Sequence, residues 1–371
     1  MAAASSSTKR KSADEIPRPH PADSQPPSRS KPAQWGDLWY ASDCSGLDAA
    51  AIALRRSTSF RHWFGSEIKD SYRKVFIAIH PECEHVFQDM QARCLDSLVA
   101  ERKAHPTNPL VYTSGFPCQP YSKEGLGRGM GDSRAPVVWS VLLTISLLMP
   151  DIFILENVED LVRDQRFQEV FLEILNMLVQ IGDRAYFIDW QVLDSNDFGV
   201  PATRRRVYVV GVLKAKLAKK WEWPKPQPRP SLKSILVPRK KGEEKDMKSL
   251  NQTALQNLAT AFQKIATKDG TWKTQPWVID CQNSASRGVN ISFDRFATIT
   301  RSHANHLWLV CKNDFAKPIE LLAAQGILQE DLPIRIDAFP PATIGEMAGN
   351  SFTATVMKCL LDTLLEAIAY F

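Results

Sequence analysis

The chain has 371 residues, 44% hydrophobic, 9% aromatic and 23% charged, the proportions of a globular protein with room for about two domains. This content excludes wholesale disorder, and no apolar run approaches the ~18 residues of a membrane helix, so no membrane partner is expected. The net charge of +5 is uneven: residues 214–248 hold 12 basic and 4 acidic side chains, a local +8, which leaves −3 for the remainder. Such a block marks contact with a polyanion or forms a solvated lysine-rich loop.

Residues 1–34 are rich in Ser, Pro and Ala with almost nothing to bury, and read as a disordered tail. Lys9, Arg10 and Lys11 form a short basic cluster, which reads either as a nuclear address or as a run of the length that arises by chance. No apolar stretch follows the start, against a secretory signal, and Asp14, Glu15 and Asp23 argue against a transit peptide. The seven cysteines, 44, 83, 94, 118, 281, 311 and 359, are scattered and form no Cys-x-x-Cys pair. That opposes a disulfide framework or a zinc site and suits a reducing compartment, so no metal is expected.

From Asp37 onward short apolar runs alternate with helical patterns. Strands are expected at Leu38–Ala41, His62–Gly65, Val86–Gln88, Leu110–Thr113, Asp151–Leu155, Tyr186–Leu193 and Val207–Leu213. Helices are expected at Ala49–Arg56, Asp70–Ile79, Pro136–Met149 and Phe167–Ile181. This alternation predicts an α/β protein with a parallel sheet covered on both faces, its chemistry beyond the carboxyl ends of the strands. After Leu213 the rhythm stops. Residues 214–294, with Trp221, Trp223, Trp272 and Trp277, read as a small separate module. Strands near Ala297–Thr300 and Leu307–Val310 and a helix over Ala354–Ala369 close the chain.

Four motifs sit where chemistry is expected. Gly115-Phe116-Pro117-Cys118-Gln119-Pro120-Tyr121-Ser122 follows the fourth strand and holds a cysteine between two prolines, as a directed nucleophile requires or as a small buried residue would also allow. Gly125, Gly127, Gly129 and Gly131 follow, a composition suited to a closing loop. Glu156-Asn157-Val158 ends the next strand; a carboxyl there is either a partly desolvated acid or a helix cap. Asp197-Phe198-Gly199-Val200-Pro201-Ala202-Thr203-Arg204-Arg205-Arg206 enters a strand, so Arg204 and Arg206 share a face and suit a phosphate or a polar base edge. In the first strand–loop–helix unit, Gly46 is followed 21 residues later by Glu67, the spacing at which a carboxylate grips ribose hydroxyls, and Asp89 lies similarly after the third strand. Solvated strand-end carboxylates would show the same spacing.

Taken together, Pro117-Cys118-Gln119, Glu156-Asn157-Val158 and Arg204-x-Arg206 resemble the cytosine-C5 DNA methyltransferase family. Ala297-Thr298-Ile299-Thr300, Leu322-Ala323-Ala324-Gln325-Gly326 and Gly349-Asn350-Ser351 continue the likeness to the C-terminus. The resemblance implies a Rossmann-like S-adenosylmethionine-dependent methyltransferase fold, with a mostly parallel sheet, at residues 35–213. Residues 295–371 would complete it, and residues 214–294 would form a small target-recognition domain.

It further implies that Cys118 adds to cytosine C6, that Glu156 hydrogen-bonds or protonates N3, and that Arg206, with Arg204 nearby, orients the base. Gln119, Ser122 and Asn157 would also bind substrate. Gly46, Glu67, Asp89, Asn350 and Ser351 would hold S-adenosyl-L-methionine. The partner would be duplex DNA with a flipped cytosine and the protein a monomer. The Lys9–Lys11 cluster together with that substrate points to the nucleus, with the cytoplasm or an organelle as alternatives. Three positions depart from the family pattern. Cys44 stands where an aromatic is usual, Asp48 where a glycine is usual, and Ala202 where a glutamine is usual. Asp48 would repel a cofactor carboxylate, unless it meets the cofactor's amino or sulfonium group. Two alternatives accompany this reading: a tRNA cytosine-C5 methyltransferase of the same fold, disfavoured by the lack of a Cys-Phe-Thr tripeptide, and a catalytically weak nucleic-acid-binding homologue. In the DNA reading, Arg239, Lys240 and Lys241 would contact the duplex.

Overall fold

Continuous apolar runs, rather than alternating ones, build the central strands because each is covered on both faces. In the computed structural model, which describes residues 37–117, 136–240, 246–267, 270–282 and 288–368, β1 (Trp39–Asp43), β4 (Leu110–Ser114) and β5 (Ile152–Val158) are buried almost end to end. With β2 (Arg61–Ser66) and β3 (His85–Phe87) they pair in parallel. β6 (Tyr186–Asp194) and β7 (Arg205–Leu213) extend the sheet to seven strands in the order β3-β2-β1-β4-β5-β7-β6. Only the short segment 195–204 joins β6 to β7, with no crossover helix. β7 therefore returns antiparallel to both β6 and β5, so the sheet is mostly parallel, as the resemblance implies, and not wholly so, as the strand–helix alternation alone predicts.

Helices cover the two faces. α4 (Pro136–Leu148) and α6 (Gln165–Gln180) lie on one, where Phe167, Phe171, Ile174 and Leu178 of α6 recur at helical spacing and are buried. α1 (Ala49–Arg55) and the C-terminal α10 (Ala354–Ala367) share the other, so the end of the chain completes the core begun by its start. Between the first strands run α2 (Asp70–Ile79) and α3 (Leu95–Ala104), and a single turn, α5 (Asp160–Arg163), precedes α6. The amphipathic signal of α3 is weak; only Leu98 of it is buried, and the sequence pattern did not reveal it.

A second lobe carries α7 (Gln252–Ile265) and a four-stranded antiparallel sheet: β8 (Trp277–Asp280), β9 (Ile291–Phe293), β10 (Leu307–Leu309) and β11 (Asp314–Phe315), ordered β11-β10-β8-β9. Its core holds Leu258, Ala261, Ile279 and Trp308, with Trp272 and Trp277 packed at the edge. α8 (Pro318–Ala323) and α9 (Pro341–Asn350) lead back to the main domain.

The boundaries expected for the basic module are corrected at both ends. Trp221 is buried in the core of the main domain, where its indole N–H donates to Thr363, and the lobe sheet continues to Phe315. Ala297–Thr300 forms no strand; Phe296 instead makes a single bridge to Ala202. The basic block also divides. β7 has 9 residues, which span about 30 Å, so Lys214–Lys219 emerge at the far end of the sheet from Glu156, beside Asp151 and Glu366. Arg239 is no duplex contact: its side chain is 6% exposed and forks onto Glu320 at 2.8 and 2.9 Å, with Nε 3.0 Å from Asp314. Lys241 lies outside the described residues.

Arg239→Ala would leave Glu320, wholly buried, without its cation. The expected loss of unfolding free energy is about 3–5 kcal/mol in a denaturant titration, with no change in the salt slope of duplex binding.

Candidate active site

Because β7 runs back beside β5, Glu156 is paired with Tyr208, Asn157 with Val207 and Val158 with Arg206. Two arginines at the start of β7 thus meet the end of β5. Arg206 Nε is 3.2 Å and Arg204 Nη2 4.0 Å from Glu156 Oε1, while Arg205, pointing the other way, pairs with Glu159 at 2.9 Å. Alternate residues share a face here, as the sequence pattern predicts. Glu156 is 7% exposed, and burial pushes its carboxyl pKa up against the opposing pull of Arg206 and Arg204. Its Oε1 is buried without a hydrogen-bond partner. A buried polar atom with no hydrogen bond is costly, and a carboxyl whose pKa is raised by burial is better suited to donating a proton to a ring nitrogen than an ordinary one.

The segment carrying the cysteine motif passes directly over this carboxyl. A side chain at Gly115 would meet the Phe352 ring at 2.7 Å and Glu156 Oε2 at 3.7 Å, so only glycine lets the backbone through. Gly115, Phe116 and Pro117 line the same cleft as Glu156, Arg204 and Arg206. Cys118, Gln119, Ser122 and the glycine stretch through Gly131 lie outside the described residues.

Two expected contacts take other roles. Asn157, only 2% exposed, faces the interior, and its amide donates to the Phe116 carbonyl at 3.3 Å. Arg204 Nη1 donates to the carbonyls of Ile299 at 3.0 Å and Gly349 at 3.1 Å. It ties three segments together while also bordering the cleft beside Arg206.

The cleft continues over the ends of β1, β2 and β3, where Gly46, Glu67 and Asp89 line it together with Asn350 and Ser351 from the end of α9. Gly46 has φ +54 and donates its N–H to Glu67 Oε2 at 3.1 Å, while the Lys69 N–H reaches Oε1 at 2.9 Å. Burial raises the Glu67 pKa against these two N–H groups. Each carboxylate oxygen accepts one of these bonds and retains a lone pair toward the cleft. Asp89 accepts from the Gln91 N–H at 2.8 Å. Sequence reasoning missed the apolar lining: Ile68 is 68% exposed yet borders the cleft beside Met90 and Phe352. Their signal was only position, next to the two carboxylates and the C-terminal Asn-Ser pair. A carboxylate pair beside an exposed aliphatic face fits the hydroxyls and the flat base of a nucleoside.

Asp48 does not face this cleft, which corrects its expected clash with the cofactor. It takes the left-handed backbone of a glycine, φ 48, and turns inward to cap α1, accepting from the Ala51 N–H. Tyr40 and Ser42 donate hydroxyls to it at 2.5 and 2.7 Å, and His62 lies 3.4 Å away. Burial alone would raise its pKa, but the hydrogen bond and charge of His62, with His80 and Tyr40, hold it down to about 2. Cys44 does line the cleft, in a left-handed conformation with φ 55. Its thiol pKa is pushed up by burial and by Asp43 and Glu67.

Comparison with known proteins agrees with this architecture. The sequence profile of C-5 cytosine-specific DNA methylases matches residues 41–318. Type II methyltransferase M.NlaIV of Neisseria lactamica is 36% identical over 129 residues, 34% of this chain and 30% of that protein. Type II methyltransferase M.HaeII of Haemophilus aegyptius is 27% identical over 259 residues, 70% of this chain and 74% of that one. The alignments thus span about a third of some curated relatives and about three quarters of others. A putative DNA modification methyltransferase encoded within an Escherichia coli prophage superposes with a TM-score of 0.64 at 19% identity, covering 89% of this chain and 99% of its own. The Entamoeba histolytica methyltransferase EhMeth gives 0.61 at 15%, covering 89% and 98%. These likenesses support the methyltransferase fold. The bacterial origin of the curated relatives lends no support to a nuclear address, and Lys9–Lys11 lie outside the described residues.

The depressed pKa of Asp48 stabilises the fold above the ordinary carboxylate value near 4, and this stability is lost as the pH falls toward 2. The difference is worth about 2 kcal/mol. Thermal melts of Asp48→Asn should show lower stability at pH 6 and a flatter acid limb between pH 4 and 2 than the parent protein.

Proposed function

The chain belongs to the C-5 cytosine-specific DNA methylase family, and from that premise we propose that it transfers a methyl group to C5 of cytosine in duplex DNA. The observation that carries this reading is the buried Glu156 carboxyl, whose Oε1 makes no hydrogen bond but lies 3.2 Å from Arg206 Nε, under the glycine that leads to Pro117. S-adenosylmethionine, the methyl donor of this family, supplies an activated methyl group when bound. Gly46, Glu67 and Asp89, with Asn350 and Ser351, would hold it.

Cytosine C5 is a poor nucleophile. In the proposed sequence the Cys118 thiolate adds to C6, Glu156 gives a proton to N3, and the electron pair gathered at C5 takes the methyl group as its bond to the donor sulfur breaks, leaving a neutral thioether. A base then removes the C5 proton, the thiolate leaves as the ring regains its C5–C6 double bond, and the N3 proton returns to the Glu156 carboxylate. A free thiol with a pKa about 8.5 is only a few per cent ionised near neutrality, so the ring needs the buried acid. Arg206 orients the ring and limits how far burial raises the Glu156 pKa. Because C6 is sealed in a stacked duplex, the cytosine must swing out to reach this cleft. The lobe built on β8–β11 is proposed as the target-recognition region.

The test is methyl transfer from labelled S-adenosylmethionine to duplex DNA and, separately, to unmodified tRNA, with the product base identified after digestion. Labelled 5-methylcytosine in DNA is expected; label confined to tRNA, or absent from both, would overturn the reading. Glu156→Gln should lower kcat by roughly 10²–10⁴ with cofactor affinity unchanged, as measured by steady-state kinetics and calorimetry.

A further inference from the structure

Four framework elements and one loop beneath the donor cleft send side chains to a single buried point. Asp43 ends β1, immediately before Cys44, Ser45 and Gly46. Ser66 ends β2, immediately before Glu67 and Ile68. Arg93 lies in the loop after β3, just beyond the cleft-lining residues Gln88–Gln91. Tyr112 comes from the middle of β4, and Thr144 from α4, the helix into which the Cys118 segment leads.

At their meeting place the Arg93 guanidinium forks onto both oxygens of Asp43, at 2.5 and 2.7 Å, and Nη2 also donates to Thr144 Oγ1 at 2.7 Å. Ser66 donates to Asp43 Oδ1 at 2.5 Å and Tyr112 to Oδ2 at 2.6 Å. Neither charged side chain has any exposure, and the guanidinium lies 4.8 Å from the Phe64 ring centre.

We propose that Arg93 is a positioning residue for the methyl donor: through Asp43 it fixes the three strand-end loops that form the donor cleft relative to one another. A buried ion pair is weak support for stability alone, since packed apolar residues often do as well in its place. What this pair provides is a set of directions. Arg93 offers a planar fork, and Asp43 accepts from four donor atoms on three elements: two on Arg93 after β3, one on Ser66 of β2 and one on Tyr112 of β4. The loop it governs carries local strain: Cys44 holds φ 55 without being glycine, a conformation that persists only where its surroundings determine it. The same loop is stitched to β2, with Ser45 N–H donating to the Ser66 carbonyl at 2.9 Å and Ser66 N–H to Ser45 Oγ at 3.0 Å.

This assignment rests on the methyl-donor reading, and its test separates the two. Arg93→Lys keeps the charge but loses the fork. Thr144→Val removes one partner and is mild enough to serve if the first variant fails to fold. Calorimetry with S-adenosylmethionine and steady-state kinetics with duplex DNA would be run on both, alongside thermal melts. Cofactor Kd and KM should rise at least ten-fold in Arg93→Lys and about three-fold in Thr144→Val, with the KM for DNA unchanged and kcat at saturating cofactor within a factor of about three. A purely structural role would lower the melting temperature and scale down the active fraction without this split. Parent-like cofactor affinity in a folded variant overturns the assignment. If the parent protein binds no S-adenosylmethionine, the methyl-donor reading itself fails, and this assignment with it.

Discussion

The reversed strand β7 is the constraint on which the site depends. Parallel strands bring only their carboxyl ends to the functional edge of an α/β sheet; a reversed strand brings its beginning. That is how two arginines from the start of β7 come to stand beside the carboxyl at the end of β5. The close pairing is accommodated at Gly211, where a side chain would strike the Phe153 ring at 2.1 Å. The same geometry carries Lys214 and its neighbours to the opposite end of the sheet, so a run of positive charge continuous in sequence is divided in space.

Burial and charge act against each other at the end of β5, and burial wins. Burial raises the Glu156 pKa above the ordinary carboxylate range, while Arg206 and Arg204 keep the shift in check. An acid with a large upward shift and no cation nearby would hold its proton too tightly to give it up; one fully paired in water would have none to give. The Glu67 carboxyl at the other end of the cleft is also raised by burial, but two peptide N–H groups oppose it. The two ends therefore differ in what chiefly opposes burial: the Arg206 and Arg204 cations at one, and two backbone N–H groups, with Arg73 and Lys69 behind them, at the other. Gly115 lies between them, close to both Phe352 and Glu156.

Residues whose role depends on position along a strand were legible in the sequence. Glu156, Glu67 and Asp89 each follow an apolar run, and the spacing from Gly46 to Glu67 reflects one strand–helix–strand unit; all of them border the cleft. Residues whose role depends on a partner distant in sequence were not. Nothing in the local pattern shows that Arg239 meets Glu320, that Arg204 reaches the carbonyls of Ile299 and Gly349, or that Asp48 turns away from the cleft toward His62. Asp48 is instructive because the position does demand the left-handed backbone a glycine would give, and an aspartate satisfies it by capping α1 from within. The reversal of β7 was legible only in the shortness of the segment 195–204, since strand direction leaves no mark on an apolar run buried on both faces.

The central claim is that a sulfur and a buried carboxylic acid act together on one cytosine ring. It is tested most directly by incubating the protein with S-adenosylmethionine and a duplex bearing 5-fluorocytosine at the target, then looking for a denaturation-resistant complex by gel and mass spectrometry. The account predicts a one-to-one adduct through Cys118 that carries the transferred methyl group, is absent in Cys118→Ser, and forms far more slowly in Glu156→Gln. An adduct at another residue, or methylation of ordinary duplex DNA by the Cys118→Ser protein, would contradict it.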